Sequence, residues 1–178
     1  FTTKLTAKAN ELVVGPGIDP ETTLGPLVDE DTIGKVEELV ADAVSKGARV
    51  VAGGGRIERP GHFHEATVLA DVPMDARVLK EEIFGPVAPI VTVSSDDEAI
   101  DAANDTEFGL ISYAYTRDFS HAIETAERLE AGMVALNTGV VSNPAAPFGG
   151  VKNSGLGREG SYEGMEEYLE VKYVGMGL

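Results

Sequence analysis

Apolar residues recur along this chain with two periods, that of a helix and that of a strand, and the period switches from segment to segment. Between Asp29 and Lys46, the residues Ile33, Val36, Val40, Ala43 and Val44 fall on one face at helical spacing. Asp29, Glu30 and Asp31 crowd the first turn, where carboxylates meet the positive end of the helix dipole, and Lys46-Gly47 closes the last turn. The same reasoning predicts helices over 96–104 and 119–129, and a short one over 2–12 that opens without a convincing cap. Short apolar runs predict strands at 49–52, 66–70, 87–93, 111–116 and 133–137. Gly15 to Pro20 ends the first helix and Gly53-Gly54-Gly55 ends the first strand. After Asn137 a long Gly- and Pro-rich loop runs to about Glu159, followed by a short helix and a last strand over 169–174.

Strand–helix–strand order predicts an α/β domain with a largely parallel sheet flanked by helices. The last strand alternates: Leu169, Val171 and Tyr173 point one way, Glu170 and Lys172 the other. That suits an edge strand with one covered face, whose unpaired backbone groups need a partner such as another subunit. The uncapped opening helix leads to the expectation that the chain was cut from something longer.

Composition narrows the function. With 178 residues, 43% hydrophobic and 25% charged, the chain suits one ordinary globular domain able to bury roughly 70% of its unfolded surface. Its formal net charge of -16 argues against nucleic acid, which is bound by clustered Lys and Arg, and against anionic membranes. No apolar run approaches the ~18 residues of a membrane helix, and Phe1-Thr2-Thr3-Lys4-Leu5 is too polar for a signal peptide. A cytoplasmic location is the expectation. There is no cysteine, which excludes disulfides, zinc–thiolate sites, iron–sulfur clusters and a cysteine nucleophile within these residues.

Several motifs have ordinary readings. Gly155 to Gly160 satisfies GxGxxG, but it follows the loop 148–154 and not a strand, so the dinucleotide fingerprint fails. His62 and His64 would share a face of a strand and could ligate one metal, yet no third ligand is evident and a solvated loop is the simpler reading. His121 lies among polar neighbours and reads as surface. Asn104-Asp105-Thr106 matches a glycosylation sequon only by pattern and reads as a helix end with a turn. The acidic runs 29–31 and 96–98 are explained by helix dipoles.

Two segments offer more. In Leu79-Lys80-Glu81-Glu82-Ile83-Phe84-Gly85-Pro86-Val87 an acidic pair runs into an aromatic and a Gly-Pro turn just before a strand. A carboxylate there can accept from two vicinal hydroxyls, as on a ribose, while the ring covers a flat heterocycle. A helical turn with a core phenylalanine fits the pattern equally well. The loop 137–159 exceeds the ~12–15 residues beyond which a connection is usually functional or disordered. Its phenylalanine and its Ser-Asn pair would make an apolar pocket with a few polar contacts.

Together these segments resemble the NAD(P)-dependent aldehyde dehydrogenase superfamily. Glu81-Glu82-Ile83-Phe84-Gly85-Pro86 looks like its Glu-x-Phe-Gly-Pro motif, and Pro147 to Glu159 looks like its C-terminal signature. Asn104 to Leu110 and Gly25-Pro26-Leu27 fit in the right order, so the resemblance spans almost the whole chain. Within the superfamily, Asn137 to Asn143 and Glu167 to Tyr173 are most similar to succinate-semialdehyde dehydrogenases.

The resemblance implies the C-terminal half of an aldehyde dehydrogenase catalytic domain over residues 1–160. Residues 161–178 would then hold a C-terminal helix and an oligomerisation strand, serving a homodimer or homotetramer. It implies NAD or NADP as cofactor, with Glu82 on the nicotinamide-side ribose and Phe84 beside the nicotinamide. Phe148 would line the aldehyde tunnel, Glu159 would act in a proton relay, and Ser142 would contact the substrate carboxylate. The family's cysteine nucleophile, general base and oxyanion amide would lie upstream of Phe1, so the 178 residues alone are expected to be inactive. The substrate implied is succinate semialdehyde, with glutarate or another ω-carboxylated semialdehyde as the alternative. A non-catalytic module that pairs through its terminal strand stays open beside both.

Overall fold

The computed structural model describes residues 1–177. They form two compact units, Phe1–Val93 and the residues from Ser94 onward.

The first unit contains α1 (Thr2–Asn10), α2 (Glu30–Ser45), β1 (Arg49–Ala52), β2 (Thr67–Ala70), a 3-10 turn at Arg77–Leu79, and β3 (Val87–Pro89). Helix α1 begins at Phe1 with no side-chain cap, as its sequence leads one to expect. Helix α2 is capped by Asp29, whose Oδ1 accepts the Thr32 N–H at 2.8 Å. Its apolar face buries Ile33, Val36, Leu39, Val40 and Ala43. Beside it runs β2, all four of whose residues are buried, the condition of a strand covered on both sides. Leu39, Val40, Ala43, Ala48, Leu69, Val72, Ala76 and Val78 form one core, with Ile83 and Val87 packed at its margin. Strand β2 is central, antiparallel to β1 and parallel to β3.

The strand expected to run to Val93 stops at Pro89. Its neighbour β2 ends at Ala70, and Asp71 turns left-handed at φ 55°. Two bonds continue the pairing, from Ile90 N–H to Leu69 O at 2.8 Å and from Val72 N–H to Ile90 O at 3.1 Å. Past them, residues 91–93 have no strand beside them among the described residues.

The second unit contains α3 (Asp96–Asn104), β4 (Phe108–Gly109), β5 (Ile111–Ala114), α4 (Phe119–Arg128), β6 (Met133–Leu136), β7 (Val151–Lys152) and α5 (Glu163–Glu166). Ser95 caps α3 by accepting from the Glu98 N–H, and Asp118 caps α4 through the His121 N–H. Strands β5 and β6 pair in parallel from Ile111↔Met133 to Ala114↔Leu136. The second pair, β4 with β7, is antiparallel. This β7 lies inside the stretch read from sequence as loop. A two-residue strand preceded by two glycines leaves no alternation to detect.

The strand expected over 169–174 is also absent. Leu169, Val171 and Tyr173 keep their alternation but all are exposed. No strand runs beside them among the described residues, and a strand without a neighbour leaves its backbone groups unpaired. Among the described residues, no helix is long and apolar enough to cross a membrane.

Candidate functional site

In the first unit the turn before β3 sorts its residues by direction. Arg77 grips Glu81 with Nε to Oε1 at 2.6 Å and Nη2 to Oε2 at 3.2 Å. Those hydrogen bonds hold the Glu81 carboxyl below the ordinary glutamate range. Glu82 differs. Its backbone carbonyl accepts the Lys35 ammonium at 2.5 Å, while its carboxylate is exposed and has no side-chain partner among the described residues. Ile83 packs on the core and Phe84 turns outward, 76% exposed, with a left-handed φ of 48°. The reading of Phe84 as a core residue is therefore corrected: Ile83 fills that role. Gly85 is pressed onto α2, where an added Cβ would lie 2.5 Å from a Val36 methyl. The turn thus presents one free carboxylate and one bare aromatic face together.

In the second unit the signature loop closes on itself. Phe148 N–H donates to Glu159 O at 2.8 Å, and Glu159 N–H donates to Phe148 O at 2.7 Å. Between them the polar residues of the motif bind backbone and neighbouring carboxylates. Lys152 Nζ donates to Asn104 O at 2.8 Å and meets Glu130 Oε2 at 2.6 Å. Asn153 donates from Nδ2 to Glu107 Oε2 at 2.6 Å, and Ser154 Oγ accepts the Gly109 N–H at 3.0 Å. Arg158 Nη1 donates to Gly150 O at 2.8 Å and to Gly157 O at 2.7 Å, and Glu167 Oε1 accepts the Arg158 N–H. Gly157, at φ 81°, has the Glu167 carboxylate against it, where a Cβ would be crowded as well as strained. A cavity of about 360 Å³ opens here, bordered by Leu110, Phe148, Leu156, Arg158 and Glu159.

Among the residues singled out from sequence, Phe148 and Glu159 are brought together by this bridge. Ser142 stands exposed on the same long loop, between a turn closed by Thr138 on Val140 and one closed by Asn143 on Ala145. Glu82 and Phe84 belong to the first unit. The histidines do not form a site. His62 Nδ1 lies 3.3 Å from Glu30 Oε2. His64 is 1% exposed, and its Nδ1 donates to Glu65 O at 2.8 Å, so the solvated-loop reading is wrong for it. No group of three or more metal-ligating side chains occurs among the described residues. The amide of Asn104 is occupied, donating to Arg128 O and accepting from the Glu130 N–H.

The Aldehyde dehydrogenase family pattern matches residues 1–174. The chain belongs to the aldehyde dehydrogenase family. It is 53% identical over 178 residues to the NADP(+) succinate-semialdehyde dehydrogenase of Escherichia coli, covering 100% of this chain and 37% of that protein. It is 54% identical over 174 residues to the glutarate-semialdehyde dehydrogenase of Pseudomonas putida, covering 98% and 36%. The crystal structure of succinate-semialdehyde dehydrogenase from Burkholderia pseudomallei superposes with a TM-score of 0.95 at 50% identity, over 98% of this chain and 36% of that one. The chain thus has the aldehyde dehydrogenase α/β fold and spans just over a third of the length of these relatives.

Sequence reasoning missed how Lys152, Ser154 and Arg158 hold backbone and how Asn153 holds Glu107, all four lying inside the signature loop. It also missed the pairing of the Asn137 amide with Thr116. Their signal was a dense polar run inside a glycine-rich loop, which marks a connection that must satisfy its own backbone.

Proposed function

We propose that this chain forms its share of an NAD(P)+-dependent dehydrogenase of ω-carboxylated semialdehydes, with succinate semialdehyde as substrate. The observation that carries the reading is 53–54% identity along nearly the whole chain to two enzymes named for such aldehydes. The two named substrates share an aldehyde at one end and a carboxylate at the other. The exposed Ser142 hydroxyl is a donor suited to that carboxylate. Glutarate semialdehyde, one methylene longer, is the second reading, supported by the Pseudomonas relative.

The residues present fit a nicotinamide dinucleotide. Glu82 offers an unpaired carboxylate able to accept from both ribose hydroxyls, and Phe84 offers a bare ring beside it. The chemistry such a cofactor would supply there is acceptance of a hydride from the aldehyde carbon once a thiolate has added to it. Phe148 contributes an apolar wall that keeps water from the reacting carbon, and Glu159, its backbone fixed to Phe148, carries a carboxylate that can pass a proton to solvent. The attacking thiolate comes from elsewhere in the protein, since these residues include no cysteine. Residues 1–160 form part of the catalytic domain, and 161–178 contribute the helix and a segment that becomes a strand only on pairing with another subunit in a homodimer or homotetramer. The exposed alternation of Leu169, Val171 and Tyr173 supports that division.

The test is turnover by the full-length protein carrying this chain, with succinate semialdehyde, glutarate semialdehyde and butanal, each with NAD+ and NADP+. The expected result is a preference for the carboxylated aldehydes that Ser142→Phe reduces by about 10- to 100-fold in kcat/KM, the worth of a hydrogen bond to a charged group. Butanal turnover should change little. A preference for butanal, or indifference to Ser142→Phe, sinks the substrate reading. Turnover of none of them, in a protein that sizes as a strand-paired dimer, favours the non-catalytic module.

A further inference from the structure

Where the parallel pair β5–β6 ends, its two chains part in an unusual way. The last main-chain rung runs from Asn137 N–H to Ala114 O at 2.9 Å. Asn137 itself then turns left-handed, with φ 56°, a conformation that few residues other than Gly, Asn and Asp adopt readily. Its backbone leaves the sheet, but its side chain does not. Asn137 Oδ1 accepts the Thr116 N–H at 3.0 Å, and Asn137 Nδ2 donates to Thr116 O at 2.9 Å. The amide therefore pairs with Thr116 as a neighbouring peptide would, supplying one more rung after the main chain has gone. Asn is the only side chain of this length with both a donor and an acceptor, and it also tolerates the left-handed turn.

Beyond this rung begins the loop that carries Ser142. Its entry is held by Asn137 and by the Thr138 hydroxyl, which accepts the Val140 N–H at 3.3 Å. Its exit is held by Asn143, whose Oδ1 accepts the Ala145 N–H, and by Ser161 N–H donating to Pro144 O, both at 3.0 Å. Ser142 lies between the two anchorages with no hydrogen bond of its own among the described residues. Its position depends on where the chain leaves the sheet.

We infer that Asn137 is a positioning residue for substrate choice: its amide rung on Thr116 aims the Ser142 loop and so sets the discrimination between carboxylated and uncharged aldehydes. This rests on the substrate reading above. Asn137 touches no substrate in this account and acts only through Ser142.

The test uses the full-length enzyme with succinate semialdehyde and butanal. Asn137→Gly keeps the left-handed turn and removes the rung. It should raise KM for succinate semialdehyde about tenfold, the worth of one well-placed hydrogen bond, leaving its kcat and the kcat/KM for butanal within about twofold. In a Ser142→Ala background the same substitution should have no further effect, because the group it aims is gone. Asn137→Asp, which keeps the acceptor for the Thr116 N–H and loses the donor, serves if the glycine variant does not fold, and should show the same selective rise in KM. Equal losses on both aldehydes, additive losses with Ser142→Ala, or an unchanged KM for succinate semialdehyde would each overturn the inference while leaving the substrate reading intact. A wild-type enzyme that does not favour succinate semialdehyde over butanal overturns both.

Discussion

The two units are held together by different physics. In the first, Ile33, Val36, Leu39 and Leu69 are wholly or almost wholly out of water, and one helix face and one central strand enclose a continuous apolar core. In the second, the buried apolar side chains among the described residues are Ile100, Ala122 and Ala135, while Tyr115, Phe119, Val140 and Leu156 stand exposed. Order there comes from polar side chains that bind backbone, namely Asn104, Asn137, Lys152, Ser154 and Arg158, and from Asn153, whose amide binds the Glu107 carboxylate. Burial is non-directional and tolerates small shifts, whereas a hydrogen bond fixes distance and angle. The second arrangement suits a region that must hold a loop in one place, and it is the region with the signature loop and Ser142.

The largest effect should come from cutting the core. Leu39→Ala removes a fully buried side chain from α2 and should cost about 3 kcal/mol, read by urea denaturation of the protein. A loss below about 1 kcal/mol would show that the first unit does not rest on this core. A matched pair of glycine substitutions sharpens the contrast. In the second unit, a Cβ on Gly132 would lie 2.0 Å from the Gly149 carbonyl oxygen. Neither backbone can yield cheaply, so Gly132→Ala should destabilise by about 1–3 kcal/mol and speed amide exchange at Phe108 and Val151. In the first unit, Gly34 lies inside α2 with nothing within 4 Å of its Cβ position. Gly34→Ala should therefore stabilise by about 0.5–1 kcal/mol. The same sign at both positions would remove the distinction between the units.

That distinction also explains what could be read from the sequence. Helix α2, strand β1 and helix α3 occupy the ranges that periodicity and first-turn charge indicate, because Ile33, Val36 and Val40 mark a buried face and the acidic runs 29–31 and 96–98 mark a start. The Glu81–Phe84 turn was legible as a place of chemistry, but not which carboxylate was free. That depended on Arg77, four residues earlier, gripping Glu81 and leaving Glu82. The signature loop was legible as functional from its length and its family likeness, but the bonds that hold it were not. Lys152 and Asn153 reach backbone at Asn104 and Glu107, more than forty positions away, and no local period encodes such a reach. The shortened β3 and the unpaired 169–174 segment share one cause: a strand's length is set by its neighbour, and alternation in one segment cannot reveal where that neighbour stops.

The smallest expected effect lies in acid. In the first unit, Asp29, Glu30, Asp42 and Glu81 all have carboxyls held below their ordinary values; in the second, Glu98 and Glu163 do. For Asp42 the main cause is the Arg77 N–H donated to its Oδ2 at 2.8 Å, with the Lys46 ammonium 3.1 Å from Oδ1. A carboxyl whose value is lowered by folding favours the ionised, folded form. Its contribution is fully present above the unfolded value, 3.8 for Asp42 and 4.5 for Glu81, and is lost as pH falls through the folded value. Stability should hold to about pH 5 and then decline, more steeply for the first unit, as read by amide exchange in α2 compared with α4. Asp42→Asn keeps an oxygen for the Arg77 N–H but cannot titrate, so it should lower stability slightly at neutral pH and flatten the decline in α2. An unchanged acid slope in that variant would show that the carboxylate pairs of the first unit are surface decoration, leaving its core alone to account for its stability.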